Sequence, residues 1–185
     1  MDSLEAQCTG SCHTPSVPRF IVYGVEGTLT REVADIIGNH YGVPVHSVEQ
    51  CVERQTQRSI SEIVIEQGDD VLRKSEHNAL NEVMKTSGVA LLSGGSLDTE
   101  YARQRVKQAQ CEGATLVWCQ AQLQAITHRL GFNQPRSIAL GPVRAQLATM
   151  IRQREDLWKH TLIPDFCVDT THGVDRVAQT LQVNG

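Results

Sequence analysis

Apolar residues recur along this chain in two rhythms, and the alternation between them predicts its elements. Short apolar-rich runs of strand length stand at Phe20–Tyr23, Val43–Val48, Val89–Leu92, Thr115–Cys119 and Phe166–Val168. Between them the apolar positions fall three or four residues apart, the spacing of a helix with one buried face. Val33, Ile36, Ile37 and Tyr41 mark the first such stretch, predicted over Glu32–Tyr41. Gly42 closes it and Pro44 prevents its continuation. A short helix over Glu49–Gln55 follows, then one starting at Ser59, where the Ser59-x-x-Glu62 spacing fits a capping box. After Gly68, Asp69–Thr86 reads as a longer helix with Leu72, Leu80, Val83 and Met84 on its apolar side. Asp69 and Asp70 suit the positive end of its dipole. Further helices are predicted over Thr99–Gln110, Gln122–Leu130, Val143–His160 and Val174–Leu181, with the turn-rich Gly131–Pro142 inside that series.

Strands that are apolar rather than alternating, and separated by helices, indicate an α/β fold with a mostly parallel central sheet covered on both faces. In such folds the ligand site lies beyond the carboxyl ends of the strands. Three segments should therefore converge on one mouth: Gly24–Glu32, Ser47–Glu49 and Ser93–Ser96. One domain is expected over residues 19–185. Residues 1–18, rich in Ser, Thr, Gly and Pro, are expected to form a disordered tail.

Composition narrows the classes without changing that picture. With 40% hydrophobic and 21% charged residues, neither disorder nor a membrane span is indicated, and no apolar run approaches the roughly 20 residues a span requires. The net charge of -4 gives no broad basic surface, so no nucleic-acid partner is expected. Met1–Pro18 has neither the basic start nor the apolar core of a secretory signal, and a cytoplasmic protein is expected. Cys51, Cys111, Cys119 and Cys167 fall in or beside predicted elements, where reduced cysteine behaves as a small buried hydrophobe. Cys8, Cys12 and His13 stand together in the tail, but three ligands need a fourth from elsewhere, and no metal site is expected there. Trp118 and Trp158 are expected to pack, and His46 to sit in the core or at the rim of the mouth.

The order of segments resembles a shikimate kinase, the small P-loop kinase of the aromatic pathway. The resemblance runs from about Phe20 to the end. It is strongest from Val43-Pro44 to Glu76, through Glu53-Arg54-x-Thr56, Ser59-Ile60-x-Glu62-Ile63, Glu66-x-Gly68 and Arg73-x-x-Glu76. Arg154-x-x-Leu157-Trp158 and Val168-Asp169-Thr170 extend it. The resemblance implies a P-loop kinase-like three-layer sandwich.

It fails where the nucleotide should sit. The family loop reads Gly-x-x-Gly-x-Gly-Lys-Ser-Thr, whereas this chain reads Gly24-Val25-Glu26-Gly27-Thr28-Leu29-Thr30-Arg31-Glu32. Gly24 and Gly27 remain. Leu29 stands where close backbone approach and a positive φ are wanted. Thr30 replaces the lysine and Arg31 the magnesium-binding serine, so the loop loses its point charge and its metal hydroxyl. The guanidinium of Arg31 is not equivalent to an ammonium. The family's Asp-x-Asp after the second strand becomes Ser47 and Glu49, and a hydroxyl is a poor magnesium partner. In the lid, Gln134-Pro135 replaces the expected arginine before proline, with Arg136 displaced by one position.

The acid-binding side is better preserved. Arg73 and Arg154 match the arginines that clamp the substrate carboxylate in the family, and Gly94 and Gly95 two of its three glycines. Glu49, Arg73, Gly94, Gly95 and Arg154 thus form a candidate ligand set, with Glu49 the catalytic candidate if the chain is active. Each has a plainer reading. Arg73 pairs with Glu76 on its own helix, Arg154 joins Glu155 and Asp156 on an ionic face, Glu49 caps a helix, and Gly94-Gly95 is only a turn. The leading expectation is a catalytically inactive relative serving as a regulatory, metabolite-binding or protein-interaction module. It would need no cofactor, with a small carboxylate or hydroxy acid and a protein as partners. The alternatives are an active kinase of shikimate or another hydroxy acid, requiring ATP and magnesium, and a purely structural partner subunit.

Overall fold

The computed structural model describes residues 17–132, 141–175 and 177. Five strands, β1 Phe20–Gly24, β2 Val45–Ser47, β3 Val89–Leu91, β4 Thr115–Gln120 and β5 Phe166–Asp169, form one sheet in the order β2-β3-β1-β4-β5. Every pairing is parallel. Parallel pairing requires crossovers, and helices supply them. These are α1 Thr30–Tyr41, α2 Val48–Thr56, α3 Ile60–Gln67, α4 Asp69–Val83, α5 Glu100–Cys111, α6 Leu123–Arg129 and α7 Gly141–Thr161. The chain has the α/β sandwich of a P-loop kinase.

The two-residue period of β1 divides the core. Ile21 and Tyr23 point into one layer with Val52, Leu80, Val106 and Trp158, residues of α2, α4, α5 and α7. Phe20 and Val22 point into the other with Val33, Ala34 and Ile37 of α1, and Val177. All five residues of β1 are buried, as both neighbours and both faces are covered.

Local chemistry sets the boundaries close to expectation. Ser59 caps α3 through a complete capping box with Glu62. Thr99 caps α5, its hydroxyl accepting from the Ala102 amide. Gly42 ends α1 in the left-handed region, φ 63°. The closing helix expected over Val174–Leu181 falls largely outside the described residues, as do the lid residues Gln134 and Arg136 and the tail group Cys8, Cys12 and His13.

Two expectations change. Val17 and Pro18, assigned to the tail, pack at the edge of the domain, Pro18 buried and Val17 against the larger core cluster. Cys51 and Cys119 are buried, but Cys111 and Cys167 are exposed. Cys111 lies on the last turn of α5, and Cys167 on β5, an edge strand whose residues are mostly exposed. Burial and the nearby Glu32 carboxylate push the Cys119 thiol up to about 12, so it stays protonated and inert. Trp118 and Trp158 are core residues, as expected.

Candidate functional site

Beyond β1 the chain must turn sharply into α1, and the turn is held from inside. The Thr28 hydroxyl donates to the Val25 carbonyl at 2.6 Å, and Gly27 takes φ 87°. A Cβ on Gly24 would stand 2.4 Å from Thr28 Oγ1 and 2.7 Å from the Cys119 carbonyl, so only glycine fits there. The turn is also held from behind. Arg129 Nη1 donates to the Gly27 carbonyl at 2.9 Å, and Thr170 Oγ1 donates to the Thr28 carbonyl at 2.9 Å. Leu29, immediately before α1, sits at φ 54° and ψ 35° without a side-chain cap. A left-handed non-glycine residue costs on the order of 1 kcal/mol. The backbone thus keeps a glycine-type conformation that its own side chain disfavours.

This loop forms one wall of a cleft of about 520 Å³. The three segments expected to converge do so: Gly24–Glu32 meets Ser47 and Glu49 from the end of β2, and Ser93, Gly94 and Gly95 from the end of β3. Thr30 and Arg31 line it, as do Arg73 of α4 and Arg154 of α7. Ser47 is almost fully buried, and its hydroxyl caps α2 by accepting from the Gln50 amide at 3.4 Å. Glu49 follows on the first turn of that helix, facing the open mouth. Desolvation by the walls raises its pKa, the Glu26 carboxylate adds to this, and Arg31 partly offsets it.

A group raised in this way destabilises the fold where it is ionised. Glu49→Gln is therefore expected to increase stability slightly, by less than about 0.5 kcal/mol, as befits a solvent-facing position. The gain should be present above the raised pKa and vanish as pH falls below the ordinary glutamate value. Thermal melts of both proteins from pH 4 to 8 read it directly.

The two arginines meet at one carboxylate that the sequence did not single out. Arg154 Nε donates to Asp98 Oδ1 at 2.9 Å and its Nη2 to Oδ2 at 2.7 Å, a bidentate fork. Arg73 Nη2 lies 3.3 Å from the same Oδ2. Arg73 Nη1 also donates to Glu76 Oε2 and to the Gly95 carbonyl, each at 3.2 Å. Arg73 thus pairs with Glu76, as its plainer reading had it, and also lines the cleft. Arg154 is different: its partner is Asp98, not Glu155 or Asp156, because it lies on the face of α7 turned to the cleft. A Cβ on Gly95 would lie 2.6 Å from Arg73 Nη1, so the glycine lets that guanidinium lie against the turn after β3.

Asp98 and Arg129 are the site residues that motif reasoning missed. Asp98 precedes the Thr99 cap and reads as part of a helix start. Arg129 reads as a basic residue in the last turn of α6. Nothing local marks either one. Behind the loop a second depression is lined by Leu29, Gln122, His128, Arg129 and His172.

The family model described as "Shikimate kinase" matches residues 30–183. A shikimate kinase of Thermobifida fusca is 25% identical over 145 residues, covering 78% of this chain and 81% of that protein. One from Limosilactobacillus fermentum is 27% identical over 161 residues, covering 86% and 88%. Among solved structures, shikimate kinase from Acinetobacter baumannii in complex with shikimate superposes with a TM-score of 0.71 at 20% identity, covering 91% of this chain and 92% of the other. The Bacteroides thetaiotaomicron enzyme gives 0.69 at 16% identity, covering 91% and 97%. With the family model spanning most of the chain and the fold agreeing, this protein belongs to the shikimate kinase family.

Proposed function

We propose that this chain is a non-catalytic member of the family, a module that binds a small hydroxylated metabolite in the cleft and acts through a protein partner. One observation carries the reading: the positions that would hold a nucleotide and its metal are committed to other work. Leu29 fills the glycine position and Thr30 that of the lysine, while the Ser47 hydroxyl is engaged as a helix cap. Phosphoryl transfer depends on preorganised positive charge around the transferred group. Among the described residues, the cleft lining balances Glu26, Glu32, Glu49 and Glu76 against four arginines and contains no lysine. A nucleoside triphosphate with magnesium is a poor match for this donor set.

The wall opposite the loop fits a small polar ligand instead. Glu49 offers an acceptor for hydroxyl groups there and Glu26 another from the loop itself, and Gly94 carries no side chain to crowd them. Calorimetric titration tests the reading. ATP with magnesium is expected to give no saturable heat up to millimolar concentration. Magnesium-dependent binding in the micromolar range would sink the proposal.

Family membership itself favours a second reading, an ATP-dependent kinase of shikimate or another hydroxy acid. There Glu49, its pKa raised by burial and by the Glu26 carboxylate, would take the proton from the attacking hydroxyl. That reading requires ATP turnover with at least one member of a hydroxy-acid panel and its loss in Glu49→Gln. A coupled assay silent across the panel removes it.

A further inference from the structure

The geometry points to Asp98 as a specificity-determining residue: it fills the Arg73–Arg154 clamp from within, so that the cleft selects neutral or amine-bearing polyhydroxylated ligands over organic acids. This rests on the reading of the cleft as a small-ligand site and narrows the class of ligand it takes.

A pair of arginines facing a cleft ordinarily offers a carboxylate two forks. Here the bidentate edge of Arg154, Nε and Nη2, is already bound to both oxygens of Asp98 at 2.9 and 2.7 Å. Arg73 adds its Nη2 at 3.3 Å and turns its Nη1 to Glu76 and to the Gly95 carbonyl. Two cations thus face two carboxylates, and the clamp is neutral before any ligand arrives. An incoming carboxylate would meet Asp98 and Glu76 as like charges at close range, the kind of juxtaposition that suppresses a wrong partner.

Asp98 is fixed rather than poised to leave. Its amide donates to the Gly95 carbonyl at 3.1 Å. Its own carbonyl and that of Leu97 each accept from Arg103 Nη1 at 2.8 Å. Leu97 is fully buried, and Thr99 begins α5 as its cap. Moving the carboxylate out of the clamp would mean dismantling this turn or turning the side chain away from two cations.

What remains open suits hydroxyl groups. Arg154 Nη1 lies beside Gly94, 3.6 Å from where a Cβ would stand, and is not used by Asp98. Glu49 and Glu26 also line the cleft, and carboxylates there favour a neutral or cationic ligand over an anion.

The test uses two probes that differ in charge and by one methyl group, shikimate and its neutral methyl ester, titrated calorimetrically into the wild type, Asp98→Asn and Asp98→Ala. The wild type is expected to bind the ester at least tenfold more tightly than the acid, and both variants to reverse that order. Asparagine keeps the shape and one acceptor of the aspartate, so Asp98→Asn guards against loss of folding in Asp98→Ala. The wild-type preference is decisive by itself. Tighter binding of the acid by the wild type, or an acid-to-ester ratio that is the same in all three proteins, overturns the inference and leaves the cleft a ligand site. No saturable heat from either probe with any of the three overturns both.

Discussion

Trp158→Ala is expected to lower the unfolding free energy by about 3–5 kcal/mol, and the melting temperature on the order of 10 °C. Trp158 is 1% exposed and lies at the centre of an aromatic group. Its ring meets Tyr23 edge-on at 5.6 Å and Trp118 edge-on at 6.5 Å, while Tyr23 and Trp118 stack at 6.1 Å. These contacts join α7 to β1 and β4, so truncation would leave a cavity between helix and sheet that neither can close. Trp158→Phe should behave differently. The indole N–H has no hydrogen-bond partner among the described residues, nor do Tyr23 OH and Trp118 Nε1. Removing an unsatisfied donor offsets part of the lost volume, and a cost below about 1.5 kcal/mol is expected. Urea denaturation of the two variants beside the wild type gives both numbers. An alanine cost no greater than the phenylalanine cost would show that the ring is not packed as described.

Gly88→Ala is expected to cost about 3 kcal/mol or more. Gly88 lies just before β3 at φ 102°, and a Cβ there would stand 2.3 Å from the Pro44 carbonyl. That carbonyl accepts from the Val89 amide, and the Gly88 carbonyl accepts from both Arg19 and Phe20. The substitution would therefore force apart the junction at which β1, β2 and β3 enter the sheet. Gly113→Ala is the control. It shares the backbone problem, with φ 107°, but its Cβ meets nothing within 4 Å. About 1 kcal/mol is expected there, the cost of the dihedral alone. Equal losses at the two sites would show that the contact with Pro44 has no energetic weight.

The sequence made some features legible because they depend on neighbours in the chain. The Ser59–Glu62 capping box spans three residues and was found as written. The strand-to-helix turn at Gly24 and Gly27 was equally plain, and so was the convergence of three segments at the ends of β1, β2 and β3. The clamp was only half visible. Arg73 and Arg154 could be placed by motif, but the carboxylate between them lies 56 positions from Arg154. Only the turn after β3 carries Asp98 back to α7, and no local pattern encodes that encounter. Arg129 was missed for the same reason, since its hydrogen bond to Gly27 crosses 102 positions. Cys167 was misjudged because a strand of buried length was assumed to lie in the interior, whereas β5 is the sheet's edge. A run of apolar residues reports length and hydrophobicity but not how many neighbours the strand will have.

The position of β1 at the centre of the sheet has a consequence for how the protein is made. Its partners on the two sides begin at Val89 and Thr115, so the strand made earliest of these five is among the last to be enclosed. At roughly 5–20 residues per second, the β4 side of Phe20–Gly24 waits on the order of 5–20 s for a partner. During that interval an apolar segment with free amides and carbonyls is open to any strand nearby. Yield in the cell should therefore depend on chaperone supply and growth temperature more steeply than the stability of the finished fold would suggest.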